Sequence, residues 1–179
     1  MGISFFKYPS PLGVLNIYFN KQSISRIEFN EEEKNRSIQS NQMKISDDNY
    51  PVYCRIYKEF NDYFTGNRME FDLSVMMEGS NFQKKVWEEI RRIPYGETRS
   101  YGFIARNIEN RNAARAVGMA CHKNPVPIII PCHRVIGSDG CLTGYAGGLS
   151  LKKWLLAHER KYYILKREMF YNGQRVTST

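Results

Sequence analysis

The sequence predicts an α+β protein, with a small N-terminal α/β segment over residues 1–79, a mostly helical segment over 80–160 and a tail over 161–179. Two observations carry this reading. Short β-branched and aromatic runs dominate the first segment, whereas apolar residues recur three and four apart from Gly79-Ser80 onward. Charge divides at the same place: residues 1–79 hold 9 Lys/Arg against 11 Asp/Glu, and residues 80–160 hold 13 against 6. The tail adds 4 against 1, so the net charge of +8 belongs to the later part of the chain. A basic half-chain suits a polyanionic partner, nucleic acid before a membrane surface.

Bulk properties narrow the classes further. At 179 residues the chain is one large domain or two small ones. It has no apolar run of membrane-span length and no signal-peptide pattern at its start, so a cytoplasmic protein is expected. Cys54, Cys121, Cys132 and Cys141 lack the paired spacing of a metal site and are expected as reduced thiols. His122, His133 and His158 are the only histidines, so no metal site is expected.

Taken in order, Ile3 to Tyr8, Gly13 to Phe19 and Ile24 to Phe29 read as strands joined by the turns Pro9–Leu12 and Asn20–Ser23. A polar loop through Asp48 follows. Pro51 opens a helix with Val52, Ile56, Phe60 and Phe64 on one face and Gly66 as its stop. A further strand over about Phe71 to Val75 is expected to close this segment, which carries no catalytic pattern and reads as structural support. Ser80 and Gln83 fit a capping box for a helix that buries Phe82, Val86, Ile90 and Ile93. Ser100 caps a short helix to about Ile108, and a third helix runs from Asn112 to about His122. Two short helices around a tight turn suggest a helix-turn-helix. The small residues of the second, Ala113, Ala114 and Gly118 among them, suit either a groove or a tight core, and Arg115 stands out among them as a long cation. Asn124-Pro125-Val126-Pro127 then turns the chain into two strand-like runs, Ile128–Ile130 and Val135–Ile136. Beyond the turn Gly137–Gly140, Gly144–Gly148 reads as the wall of a pocket, without the lysine of a nucleotide loop. A last amphipathic helix starts near Ser150, with Glu159 at its far end, and the aromatic and basic tail ends in Gln174–Thr179, expected to fray.

The chemistry centres on Pro131-Cys132-His133-Arg134. An imidazole beside a thiol can take its proton, directly or through a water, and the thiolate is the attacking species. Standing alone, such a pair is more often a buried cysteine with an ordinary neighbour.

It does not stand alone. Tyr95-Gly96-Glu97-Thr98, Ser100-Tyr101, Ala113-Ala114-Arg115-Ala116-Val117-Gly118, Asn124-Pro125-Val126-Pro127, Pro131-Cys132-His133-Arg134-Val135, Gly144-Tyr145-Ala146-Gly147-Gly148 and Trp154-Leu155-Leu156-Ala157-His158-Glu159 occur in one order and spacing. Together they closely resemble the O6-alkylguanine-DNA alkyltransferases, continuously from about Phe82 to Glu159 and more loosely before. The resemblance implies a ribonuclease-H-like N-terminal domain and a monomer acting on double-stranded DNA that contains O6-alkylguanine. Cys132 would accept the alkyl group once, without a cofactor. His133 would take its proton through a water, with Glu159 orienting the ring, and Asn124 would hold the turn beside the sulfur. Tyr101 would donate a proton to the departing guanine and help hold DNA. Val135, Tyr145, Ala146 and Gly147 would line the base pocket. Arg115 would replace the flipped base in the stack, while Ala113, Ala114 and Gly118 press into the minor groove. Two departures stand out. The cysteine and histidine content before residue 121, Cys54 alone, rules out the zinc site of some relatives, and Ala146 stands where others have serine. O4-alkylthymine is a second candidate substrate. A lesion-binding protein without transfer and a plain helix-turn-helix regulator are the competing readings; Cys132 weighs against the first, and Glu159, Tyr101 and the Cys-His pair against the second.

Overall fold

The computed structural model describes residues 2–30 and 44–176, with side chains through Phe170. Most of the expected polar loop (31–43) and the last part of the end expected to fray, Thr177 to Thr179, lie outside the described residues. The architecture is α+β: a three-stranded antiparallel sheet with one helix, followed by a helical segment.

Strands β1 (Ser4–Ser10), β2 (Gly13–Phe19) and β3 (Ile24–Asn30) form a meander. Phe6 faces Ile17 and Tyr8 faces Leu15 across β1 and β2, and Ile17 faces Ile27 across β2 and β3. The strand period of two therefore gathers these side chains on one face. Helix α1 (Tyr50–Phe64) covers that face, with Tyr53 edge-on to Phe6 and both Phe60 and Phe64 against Tyr8. Pro51 sits in its first turn, and Gly66 follows its end at φ +77°, a conformation only glycine adopts freely.

The expected strand over Phe71–Val75 is not one. Only Val75 bridges, in parallel, to Ile24. The Asp72 amide donates instead to the Glu59 carboxylate at 2.9 Å, and Arg55 holds Asp72. Side chains of α1 thus occupy the backbone groups that a ladder would need.

Helix α2 (Asn81–Arg91) carries the full capping box, in which Ser80 Oγ accepts from the Gln83 amide and Gln83 accepts from the Ser80 amide. Helices α3 (Tyr101–Asn107) and α4 (Ala114–His122) form the helix-turn-helix. The latter starts two residues later than its pattern suggested, with Ala113 outside the helical turns. Trp87 Nε1 of α2 donates to the Ala120 carbonyl at 2.8 Å and pins α4 in place.

Ile128–Ile130 is likewise no strand. It forms a tight turn in which the Ile130 amide donates to the Val126 carbonyl, with Ile128 at φ +77°. These residues are buried, and the bend between Pro125 and Pro131 limits their pairing to an isolated local bridge between Pro127 and Ile130. The second run does pair: β5 (Val135–Ile136) lies parallel to β4 (Arg99–Ser100), with Arg99 beside Val135. Helix α5 (Gly148–Val176) starts earlier than expected and runs without a break past residue 160 to Val176, so Gln174–Val176 are helical where fraying was expected. Tyr162 of α5 packs where a Cβ on Gly66 would stand, 2.0 Å from its ring. None of the described helices is long and apolar enough to cross a membrane.

Candidate active site

Cys132 opens a 3-10 turn (Cys132–Arg134) and is 3% exposed. Its position is set by Asn124. The Asn124 Oδ1 accepts from the Val126 amide at 3.0 Å, and its Nδ2 donates to the Ile130 carbonyl at 2.8 Å and to Cys132 Sγ at 3.1 Å. One side chain therefore closes the turn and touches the sulfur. Burial pushes the Cys132 thiol above its ordinary range. The Asn124 amide, the Lys152 charge and the backbone amides of Cys132 and His133 pull the other way. Those four groups are what would hold a thiolate once formed.

The His133 ring is fully buried and its Nε2 lies 2.8 Å from Glu159 Oε1. Its Nδ1 is buried with no hydrogen-bond partner among the described residues. Glu159 is fully buried as well and gathers donors from four directions. Oε1 also accepts from Tyr63 Oη at 2.9 Å and Arg134 Nη2 at 2.8 Å, and Oε2 accepts from Arg134 Nε at 2.9 Å and the Gly96 amide at 3.1 Å. Burial alone would raise this carboxyl, but His133 and Arg134 outweigh it and hold it well below the usual carboxylate range. Burial lowers the His133 ring value below its ordinary range, and the Glu159 carboxylate works against that. Arg134 is itself anchored to the Ile93 carbonyl at 2.6 Å and lies over the Tyr95 ring.

The β4–β5 pair places Tyr101, the residue after β4, beside the Cys132 turn. Tyr101 Oη donates to the Thr143 carbonyl at 2.9 Å. Lys152, fully buried on α5, donates to the carbonyls of Val135 at 2.6 Å and Thr143 at 2.8 Å and approaches Tyr101 Oη at 3.4 Å. It ties β5, the glycine-rich loop and Tyr101 into one wall. Val135 is buried there, and Tyr145 packs against Phe29 of β3 at a 6.0 Å ring separation. Ala146 is exposed and, with Asn124 and Phe29, lines a cavity of about 560 Å³. A Cβ on Gly147 would stand 3.0 Å from Phe29, so the loop can approach the sheet only with glycine there.

On α4, Arg115 and Ala116 are exposed, and Ala114 and Gly118 are half-buried. Gly118 lies against the Tyr101 ring, so the small face of α4 abuts the site. Ala113 departs from what was expected of it. At 8% exposure its side chain belongs to the core, because the helix starts after it, and this takes it off the open face. Met119, 59% exposed one turn beyond Arg115, adds an apolar contact to that face that sequence reasoning did not single out.

Comparison with known proteins follows the same outline. The model of the 6-O-methylguanine DNA methyltransferase DNA-binding domain matches residues 81–161, and that of its ribonuclease-like domain matches residues 4–77. The chain belongs to the 6-O-methylguanine DNA methyltransferase family. It is 40% identical to the methylated-DNA–protein-cysteine methyltransferase of Methanosarcina acetivorans over 85% of this chain and 95% of that one. It is 41% identical to the enzyme of that name from Haemophilus influenzae, covering 89% and 87%. The crystal structure of Mycobacterium tuberculosis OGT in complex with DNA superposes with a TM-score of 0.76 at 38% identity, covering 88% of this chain and 93% of that chain.

For this member of the family, the structure adds residues that the motifs did not assign. Tyr63, Gly96 and Arg134 complete the shell of Glu159, and Lys152 braces Tyr101. Arg134 and Lys152 lie in or beside recognisable motifs, and that placement was the available signal. Tyr63 had none: it meets Glu159 across 96 residues of chain.

Proposed function

We propose that this chain repairs alkylated double-stranded DNA by moving the alkyl group from guanine O6 to Cys132, once per molecule. The observation that carries this is the buried sulfur held by Asn124 beside a His133 ring that Glu159 fixes at 2.8 Å. A bond forms between Sγ and the alkyl carbon as the carbon–O6 bond breaks. The thiol proton passes through a water at His133 Nδ1 to the ring, and Glu159 stabilises the imidazolium. The guanine leaves neutral by accepting a proton from Tyr101, which exchanges its Thr143 partner for the base. Lys152 then faces the phenolic oxygen and stabilises the charge left on it.

The target oxygen is stacked inside a duplex, so the base must be extruded, and a damaged pair lowers that expense of a few kcal/mol. Arg115 on the exposed face of α4 fills the gap, Ala114 and Gly118 allow the close approach to the minor groove, and the basic segment binds phosphates. Val135, Tyr145, Ala146 and Gly147 enclose the base. Ala146 offers no side-chain donor to O6, so recognition there falls to backbone amides. The thioether product has no neighbour among the described residues able to cleave it, which makes the protein act once. The test is stoichiometry with a duplex carrying O6-methylguanine: transfer stops at one methyl per protein molecule. Continued turnover overturns the reading.

A further inference from the structure

We propose that Tyr63, on α1 of the N-terminal segment, is a positioning residue for alkyl transfer, holding the Glu159 carboxylate in line with the His133 imidazole. This rests on the function proposed above and gives the N-terminal segment a part in the chemistry beyond support.

Tyr63 is fully buried, and its Oη donates at 2.9 Å to Glu159 Oε1, the same oxygen that meets His133 Nε2 at 2.8 Å. Burial, reinforced by the Glu159 charge, pushes the phenol well above its ordinary value, so the hydroxyl keeps its proton and stays a donor. Arg134 grips both carboxylate oxygens from the side of the 3-10 turn. A fork of that kind fixes the plane of the carboxylate but allows it to pivot with the arginine. The Gly96 amide holds Oε2 from the loop after α2, and Tyr63 approaches from α1 to hold Oε1, the oxygen that faces His133, against that pivot.

The phenol ring is itself held firmly. It packs edge-on against Phe64 at 5.2 Å and Tyr95 at 6.0 Å and lies 5.2 Å from Phe71. The carbonyl of Tyr63 is bonded to His158 Nε2 at 3.0 Å, one residue from Glu159. Helix α1 and helix α5 are thus joined on both sides of the carboxylate, by a main-chain bond at His158 and a side-chain bond at Glu159. For packing alone, phenylalanine at position 63 would serve; among the described residues the hydroxyl bonds to Glu159 alone.

Tyr63→Phe removes that hydroxyl and leaves the ring contacts. A hydrogen bond to a charged group corresponds to roughly a tenfold change in rate or more when it acts in the reacting state. The maximal single-turnover rate of Tyr63→Phe therefore falls roughly tenfold, on duplex O6-methylguanine and on free O6-benzylguanine alike, while duplex affinity stays unchanged. In a Glu159→Gln background the same change has an effect of under about twofold, because the charge it acts through is gone. Independently of transfer, the His133 Nε2–H proton resonance moves upfield in Tyr63→Phe as its bond to Glu159 loosens. A Tyr63→Phe protein with the wild-type rate and resonance, or one slowed equally in the Glu159→Gln background, overturns the proposal. Absence of transfer by the wild-type protein defeats the assigned function instead, and the resonance then decides alone whether Tyr63 holds Glu159.

Discussion

Glu159 concentrates the electrostatics of the molecule, since a fully buried carboxylate is tolerated only where its oxygens are saturated with donors. Glu159→Gln leaves the Arg134 guanidinium buried without its counter-charge. A loss of about 3–5 kcal/mol in unfolding free energy is expected, measurable by chemical denaturation. Transfer by the folded variant slows roughly 10²–10⁴-fold in single-turnover assays, the usual worth of a positioned acid–base unit. The depressed carboxyl also sets a pH dependence. Its folded value lies below the unfolded one, so its stabilisation is complete above about pH 4.3, declines below that and vanishes once pH passes the folded value. The stability gap between wild type and Glu159→Gln, read from melting curves, therefore holds constant at neutral pH and narrows in acid; a gap that widens in acid contradicts the assignment. At this scale the sequence was informative wherever function is local. Asn124, Cys132 and His133 lie within ten residues, and their contacts follow from a single turn. Tyr63 was invisible because nothing on its own stretch of chain distinguishes it, and Gly96, though it lies in the Tyr95-Gly96-Glu97-Thr98 motif, carried no sign of its bond to Glu159. Their roles exist only where α1 and the loop after α2 meet α5.

Elements defined by side-chain periodicity or caps matched their patterns, whereas those that depend on a distant partner did not. The Ser80–Gln83 box and the strand meander are local, and both formed. Phe71–Val75 and Ile128–Ile130 have strand composition, but one lost its backbone groups to α1 side chains and the other bends through the Asn124 turn. Helix α4 is the element where extrusion and chemistry separate. Arg115 is exposed, and none of the described hydrogen bonds or ion pairs engages its guanidinium. Arg115→Ala accordingly slows reaction with duplex DNA strongly and leaves reaction with free O6-benzylguanine nearly unchanged, because a free base needs no extrusion. Equal slowing on both substrates, measured by single-turnover kinetics, assigns the arginine to the pocket or the fold instead.

Across the whole molecule, the sheet segment meets the helical one around the site at more places than the Tyr63 bonds to Glu159 and His158. The Ile27 amide of β3 donates to the Pro125 carbonyl at 2.9 Å, Phe29 packs on Tyr145, and Tyr162 of α5 seats against Gly66 behind α1. Gly66→Ala combines a disfavoured φ of +77° with a methyl placed inside the Tyr162 ring. Destabilisation of at least about 1–3 kcal/mol is expected, and a lowered melting temperature checks it. The basic excess of the later part of the chain predicts that duplex affinity falls steeply with salt, lesion or no lesion, and a salt titration of binding to undamaged duplex reads this directly. Cys132→Ala should keep that salt-dependent binding, since the charged face is untouched, and lose transfer altogether.

The central claim is that one particular sulfur, buried and held by Asn124, receives the alkyl group. Peptide-resolved mass spectrometry after incubation with duplex O6-methylguanine tests it most directly. A gain of about 14 Da, the exchange of hydrogen for methyl, is expected on the peptide containing Cys132 and on no other. A methyl group on the peptide of Cys54, Cys121 or Cys141, or an unmodified protein beside repaired DNA, would contradict it.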